Sequence, residues 1–279
     1  MATGTDPTTT DDPGGARRGV RSPARAAIAV AHLRTDRWWL APAVTAAGLF
    51  AFIVYSTWRA FANADYYAAP YVSPFYSPCL AENCLDMRAG PNFPLFGDWW
   101  GLSPALLILI FPLGFRLTCY YYRKAYYRGF WLSPPACAVA EPHQRYTGET
   151  RLPLLLQNIH RYFFYAALPV AVILTYDTVL AFRDEHYEWG HMGLGTVVML
   201  VNIVLIWLYT ISCHSCRHII GGRLKHFSAH PVRYRLWGWV GKLNERHMLL
   251  AWTSLISVAL ADLYVYLLAT GVFDDPKLF

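Results

Sequence analysis

Charge is what this sequence has least of. Only 15% of its 279 residues are Asp, Glu, Lys or Arg and 55% are hydrophobic, whereas roughly a quarter of the residues of a soluble domain carry charge. That shortage excludes an ordinary water-soluble fold and makes the bilayer the expected solvent. The excess of 24 basic over 18 acidic residues is divided among loops flanking apolar runs, with no soluble domain to carry it, which excludes a nucleic-acid-binding module. An inverted internal repeat of the transporter kind is also missing. The stretch "RSPARAAIAVAHLRTDRWW" has neither the long apolar region nor the cleavage site of a secretory leader, so targeting is expected to rest with the first membrane helix.

What is present is apolar length. Five runs, near 38–61, 102–122, 154–182, 192–216 and 248–270, can cross a hydrocarbon core, which takes about 20 helical residues. The expected fold is all-α, a five-helix transmembrane bundle over 38–273. A disordered tail over 1–37, rich in Thr, Asp, Gly, Pro and Arg, precedes it, and a short C-terminal tail over 274–279 follows. Lys and Arg stay on the cytoplasmic side of short loops. Six arginines precede the first run, Arg123, Lys124, Arg128, Arg145 and Arg151 follow the second, and seven basic residues from Arg217 to Arg246 follow the fourth. All three segments share a face, so the N-terminus is expected in the cytoplasm and the C-terminus outside, in a multi-pass protein of the cell membrane. Trp38, Trp39, Trp99, Trp100, Trp237 and Trp239 fall at the expected interfaces, where amphipathic rings prefer to sit.

The cysteines and histidines divide by this topology. Cys79 and Cys84 lie in an outer loop, where a disulfide is permitted and two free thiols are the alternative. On the reducing side, "TISCHSCRH" places Cys213, His214, Cys216 and His218 at the inner end of the fourth helix. Cys119 ends the second, while His160 and His247 open the third and fifth, so four helices bring soft ligands to one depth. On one continuous helix at 100° per residue, the Cys213/Cys216 pair and the His214/His218 pair face apart. Cys213 and Cys216 then need partners from neighbouring helices, for which His160 and His247 are the natural choice, with Cys119, His214 and His218 as alternates. Two thiolates and two imidazoles suit tetrahedral zinc in a structural site or a Rieske-type two-iron, two-sulfur cluster. A haem b held by His160 with His214 or His247 is a further reading, although the outer helix halves hold no histidine for a second haem. The plain alternatives are an interfacial histidine that hydrogen-bonds its neighbours and a cysteine packed as a small apolar side chain.

Ionisable groups at membrane depth default to functional hypotheses. Asp177 lies 17 residues beyond His160 and Asp262 lies 15 beyond His247, about 22–26 Å further across at 1.5 Å per residue. The pair is read as a proton track or as helix-end acids reaching the outer interface.

The segments "FRLTCYYYRKAYYR", "SPPACAVAEPH", "YTGETRLPLLLQNIHRYFFYAA" and "TISCHSCRHIIGGRLKHFSAHPVRY" closely resemble the membrane-anchor subunit of actinobacterial succinate dehydrogenase, from about residue 33 to the end. The resemblance implies a respiratory complex II in which a flavoprotein oxidises succinate, an iron-sulfur subunit relays electrons, and the anchor, itself without a succinate site, hands them to menaquinone. It also implies an embedded Rieske-type cluster in place of two haems b, without settling the ligands. A quinone needs an apolar slot with a few polar groups, and Gln157, Arg161, Tyr162 and Trp131 lie in the inner layer as candidates for it.

Overall fold

The computed structural model describes residues 35–81, 91–97, 99–137, 139, 159–222 and 224–278; the expected N-terminal tail lies outside these but for its last three positions. Helix α1 (Leu40–Ala62) is stopped by Asn63, which takes the left-handed conformation at φ 52°, a common helix terminator. Two short two-stranded sheets interrupt the expected all-helical plan before α2: β1 (Tyr67–Ala68) with β2 (Tyr71–Val72) antiparallel, and β3 (Cys79–Ala81) with β4 (Asn92–Phe96) parallel. Helix α2 (Ala105–Leu117) then meets α3 (Tyr120–Tyr126), itself continued by a π turn at Tyr127–Trp131, at a bend of 80°. The remaining helices are α4 (His160–Leu180), α5 (Leu194–Ile211), α6 (His214–Gly221), α7 (Pro231–Glu245) and α8 (His247–Ala269).

Among the described residues, α1, α4, α5 and α8 are long and apolar enough to cross a membrane, and the bent α2–α3 pair makes a fifth candidate if it counts as one span. Their outward faces are apolar: Phe50, Ile53 and Val54 on α1, Val172 on α4, Val201 and Val204 on α5, and Ile256 and Leu260 on α8 are all exposed. A continuous apolar exterior is a liability in water and the natural surface against lipid. Inside, α5 packs along α8, α2 against α4, and α4 against α5. Helix α1 leans on the outside and buries only Leu49, Arg59 and Ala60.

Two expected spans stop short. The helix over 102–122 ends at Leu117 and that over 192–216 ends at Ile211. At each end a hydroxyl turns back onto the helix, Thr118 Oγ1 donating to Gly114 O (2.7 Å) and Ser212 Oγ to Tyr209 O (2.9 Å), as Thr175 and Thr178 also do within α4 without ending it. The cysteine that follows is extended, Cys119 at φ −65°, ψ 133° and Cys213 at φ −65°, ψ 145°. The stretch before α8, read from sequence as a loop, instead forms α7, opened by Pro231 at a first-turn position where its fixed φ favours a helix start.

At the opposite end of the bundle the 63–81 loop folds back over α2 and α8, burying Tyr66, Phe75 and Tyr76. Arg59 and Asp262, both at 0% exposure, form an ion pair there (Nε–Oδ2 2.8 Å). The expected C-terminal tail is fastened down. Leu194 N donates to Pro276 O (3.0 Å), Leu278 N to Met192 O (2.8 Å), and the Tyr71 and Tyr264 hydroxyls both donate to Asp275.

Candidate cofactor site

The two helix breaks and the two histidines at helix starts converge on one buried point. Thr118 and Ser212, having spent their protons on helix carbonyls, can only accept from a ring N–H. Thr118 Oγ1 lies 2.8 Å from His160 Nδ1 and Ser212 Oγ lies 2.6 Å from His247 Nδ1. Each ring therefore carries its hydrogen on Nδ1 and presents the Nε2 lone pair inward. There, His160 Nε2 meets Cys213 Sγ at 3.1 Å and His247 Nε2 meets Cys119 Sγ at 3.5 Å. Aromatic faces hold both rings flat: Phe115 stacks on His160 (4.9 Å, 10°) and Tyr209 on His247 (5.1 Å, 9°). Cys119, Cys213 and His247 are at most 2% exposed, so water does not compete for these donors.

This donor set differs from the one read in sequence by a single residue. Cys216 was placed beside Cys213 on the assumption of one continuous helix. Because α5 ends at Ile211 and α6 begins afresh at His214 with Cys213 as its cap, Cys216 falls in the first turn of α6, its side chain packed at the margin of this cluster and its backbone beside the Cys213 thiol. Cys119, held as an alternate, takes its place. His214 and His218 line an open pocket on the far side of α6. Cys79 is disulfide-bonded, and Cys84 lies outside the described residues.

The arrangement can be tested for fit to a metal. Among the described residues only Asp184, Glu188 and His191, on an exposed loop at the opposite end, bring three ligand atoms within 4.8 Å of one another. The buried thiols and imidazoles thus form two separated Cys–His pairs and not the close tetrahedron of a single zinc ion. Two thiols and two imidazoles, with both Nδ1 positions hydrogen-bonded as outer-shell partners of ligating histidines usually are, supply the donor types of a Rieske-type two-iron, two-sulfur group, in which one iron would take the two imidazoles and the other the two thiolates.

Next to the site lies an apolar cavity of about 280 Å³ bordered by α1, α2, α4, α5 and α8, with Phe115, Arg116, Tyr209 and Thr210 in its wall. Arg116 donates to Tyr122 Oη (2.6 Å) and Ser254 Oγ (2.9 Å) and lies 4.7 Å from the centre of the Tyr209 ring. Among the described residues the buried Tyr209 hydroxyl meets no oxygen or nitrogen partner and faces the Cys119 thiol. None of the described quinone-site candidates named from sequence is in this wall. Gln157 lies outside the described residues. Arg161 lines the open pocket, Tyr162 is 73% exposed, and Trp131, 54% exposed, packs against Tyr126 and Tyr127.

The two acids of the expected track part company. Asp262 is saturated, accepting from Arg59, Tyr55 (2.5 Å) and Ser73, and so clamps α8 to α1 and the loop above them. Asp177 is buried beside a small cavity it shares with Asn202, with the Ser77 hydroxyl facing it and, among the described residues, no well-aligned hydrogen bond to either carboxylate oxygen.

The sequence profile of the family described as actinobacterial succinate dehydrogenase subunit SdhC matches residues 40–271. Among solved structures, a chain of the Mycobacterium smegmatis Sdh1 complex in its apo form is 53% identical, with a TM-score of 0.81, over 88% of this chain and 93% of that one. No curated protein matches. The profile spans most of the sequence, the solved relative shares both its fold and half its residues, and the chain belongs to the actinobacterial SdhC family of succinate dehydrogenase subunits.

Proposed function

We propose that this chain is the membrane anchor and electron-transfer subunit of a succinate:menaquinone oxidoreductase of the cell membrane. In this reading it docks an iron-sulfur subunit and its flavoprotein partner on the face that carries the Cys–His pairs, with the bent α2–α3 pair as the fifth crossing. The face rich in Lys and Arg is the cytoplasmic one by the positive-inside bias, which leaves the N-terminus inside and the C-terminus outside. Membership of a complex follows the solved relative, a chain of the Sdh1 complex.

The observation that carries the reading is the pair of buried Cys–His contacts, Cys213 with His160 and Cys119 with His247. These four residues are the proposed ligands of a Rieske-type two-iron, two-sulfur cluster. Such a cluster, when bound, supplies a one-electron carrier whose potential its imidazole ligands raise. The chain's own residues do the rest. Thr118 and Ser212 fix the tautomer and tilt of the two rings, Phe115 and Tyr209 exclude water from their faces, and burial keeps the thiols from bulk solvent. The apolar cavity beside Phe115 and Tyr209 is the proposed menaquinone slot, with Arg116 as the cation nearest a bound carbonyl and the Tyr209 hydroxyl as the donor.

The test is a pair of cysteine variants in the purified complex, read by iron content and by electron paramagnetic resonance after dithionite reduction. Cys119→Ser should abolish the signal, and Cys216→Ser should leave it intact. The reverse outcome would return Cys216 to the ligand set, and a signal surviving both variants would refute the site.

A further inference from the structure

Beside α6 lies an open pocket of about 410 Å³ whose wall includes Arg161, Arg217, His214, His218, Gly222 and Trp237 and, among the described residues, no carboxylate. Its charges are held in place. Arg161 donates to His218 Nδ1 at 2.6 Å, which leaves the other ring nitrogen of His218 as a donor. The Arg217 guanidinium lies 4.3 Å from the centre of the Trp237 ring, and its buried Nε–H has no hydrogen-bond partner among the described residues. The floor is tight, since a Cβ on Gly222 would overlap the His218 carbonyl and one on Gly221 the Trp237 ring. Two guanidiniums and two imidazoles facing one cavity, with no acid among the described residues that line it, make a site for an anion.

The surroundings say which anion. Helix α7 packs inward through Val240 and Asn244 yet leaves Val232, Leu236 and Trp239 exposed at 68%, 47% and 52%. These lie four and three residues apart, hence on one stripe, flanked by Arg235 and Lys242. An exposed apolar stripe edged with cations is how a helix lies in a membrane interface. Tyr162, Tyr165 and Ile219 continue the exposed apolar surface beside the pocket. Basic pockets at this level of a membrane protein take lipid head groups.

We propose that this pocket binds the phosphate of an anionic glycerophospholipid, with Arg161 and Arg217 as its cations and the acyl chains running down past Tyr162 and Tyr165. The inference rests on the membrane-anchor reading. It does not depend on the cluster, whose iron content is measured in the same samples so that the two can fail separately.

The experiment uses the whole complex in nanodiscs of phosphatidylcholine with and without phosphatidylglycerol, counting retained lipid by native mass spectrometry. Each cation near an anionic head group contributes roughly fivefold in binding, so Arg161→Gln with Arg217→Gln should weaken phosphatidylglycerol retention by about thirtyfold. Lys242→Gln, a cation of the same face outside the pocket, should change it little, and Arg161→Lys should restore most of what Arg161→Gln loses. Equal loss in Lys242→Gln would mean a diffuse charge effect and overturn the site. Occupancy by inorganic phosphate as tight as that by phosphatidylglycerol would overturn the lipid assignment. Release of the iron-sulfur subunit from the double variant with lipid retention unchanged would hand the pocket to an acidic partner side chain and refute the proposal.

Discussion

Ser212→Ala removes one oxygen, the acceptor that holds His247, and so isolates what that hydroxyl does. Ser212 Oγ is 2.6 Å from His247 Nδ1 in a residue with 0% exposure, so the orphaned N–H finds no water. Leaving such a donor unsatisfied costs about 1–3 kcal/mol. An independent estimate starts from the metal, because losing an outer-shell partner of a ligating histidine weakens metal affinity by about 10–100-fold, or about 1.4–2.8 kcal/mol. The two agree, as they should if one hydrogen bond underlies both. Thr118→Val is the companion, since it keeps the shape of the side chain and deletes the hydroxyl that meets His160 Nδ1 and the Gly114 carbonyl. Either variant should release iron at about 10–100-fold lower chelator concentration and shift the resonance line shape, with the amount of chain in the membrane unchanged. Identical chelator midpoints and g-values in the variants and the unmodified protein would show that these histidines do not ligate through Nε2.

Two further expectations concern the opposite end. Arg59→Met strands a fully buried carboxylate, for which breaking a buried pair costs about 3–5 kcal/mol; the melting temperature of the detergent-solubilised complex should fall, and Arg59→Met with Asp262→Leu should recover most of it, whereas no recovery would mean that Asp262 has a role beyond the pair. Burial, with the Asp275 carboxylate second, pushes the Tyr71 phenol up from 10.0 to about 12. A raised folded value contributes stability that is complete below pH 10 and lost as the pH climbs through 12, about 2–3 kcal/mol in all. Tyr71→Phe should therefore flatten that limb of an alkaline denaturation curve, and a limb as steep as before would sink the assignment.

Much of this was legible in the residues, and the part that was not has a definite cause. The apolar runs located the spans to within a few residues at 38–61 and 248–270, because α1 and α8 are uninterrupted and apolar length is all that a bilayer crossing requires. His160 and His247 each begin a helix, α4 and α8, close to where an apolar run begins. A helical wheel sets Cys216 beside Cys213 because it assumes a continuous helix, and periodicity carries no mark of the break between α5 and α6. The mark was there in other terms, as a Thr or Ser directly before a Cys at the end of an apolar run. Helix α7 was missed because its apolar stripe faces outward, so its pattern reads as a basic, aromatic loop. Asp177 and Asp262 looked alike because spacing records depth, and Arg59, 203 residues away from Asp262 in sequence, is invisible to spacing.

The site also has an order that neither half of the chain shows alone. "FRLTC" at 115–119 and "YTISC" at 209–213 share one plan: an aromatic, two residues, a hydroxyl, then a thiol, each followed after an amphipathic excursion by a histidine that starts the next span. Within each half the aromatic stacks on the histidine and the hydroxyl orients it, Phe115 and Thr118 on His160, Tyr209 and Ser212 on His247. The thiols cross over, Cys213 to His160 and Cys119 to His247. Each half thus builds and aims an imidazole, but each donor pair is completed only by a sulfur from the other, and the packing of α4 against α5 is what brings them together. A cofactor held this way is sensitive to the seam between the halves, and a substitution that loosens that seam disturbs both pairs at once while each half keeps its own stacked and hydrogen-bonded histidine.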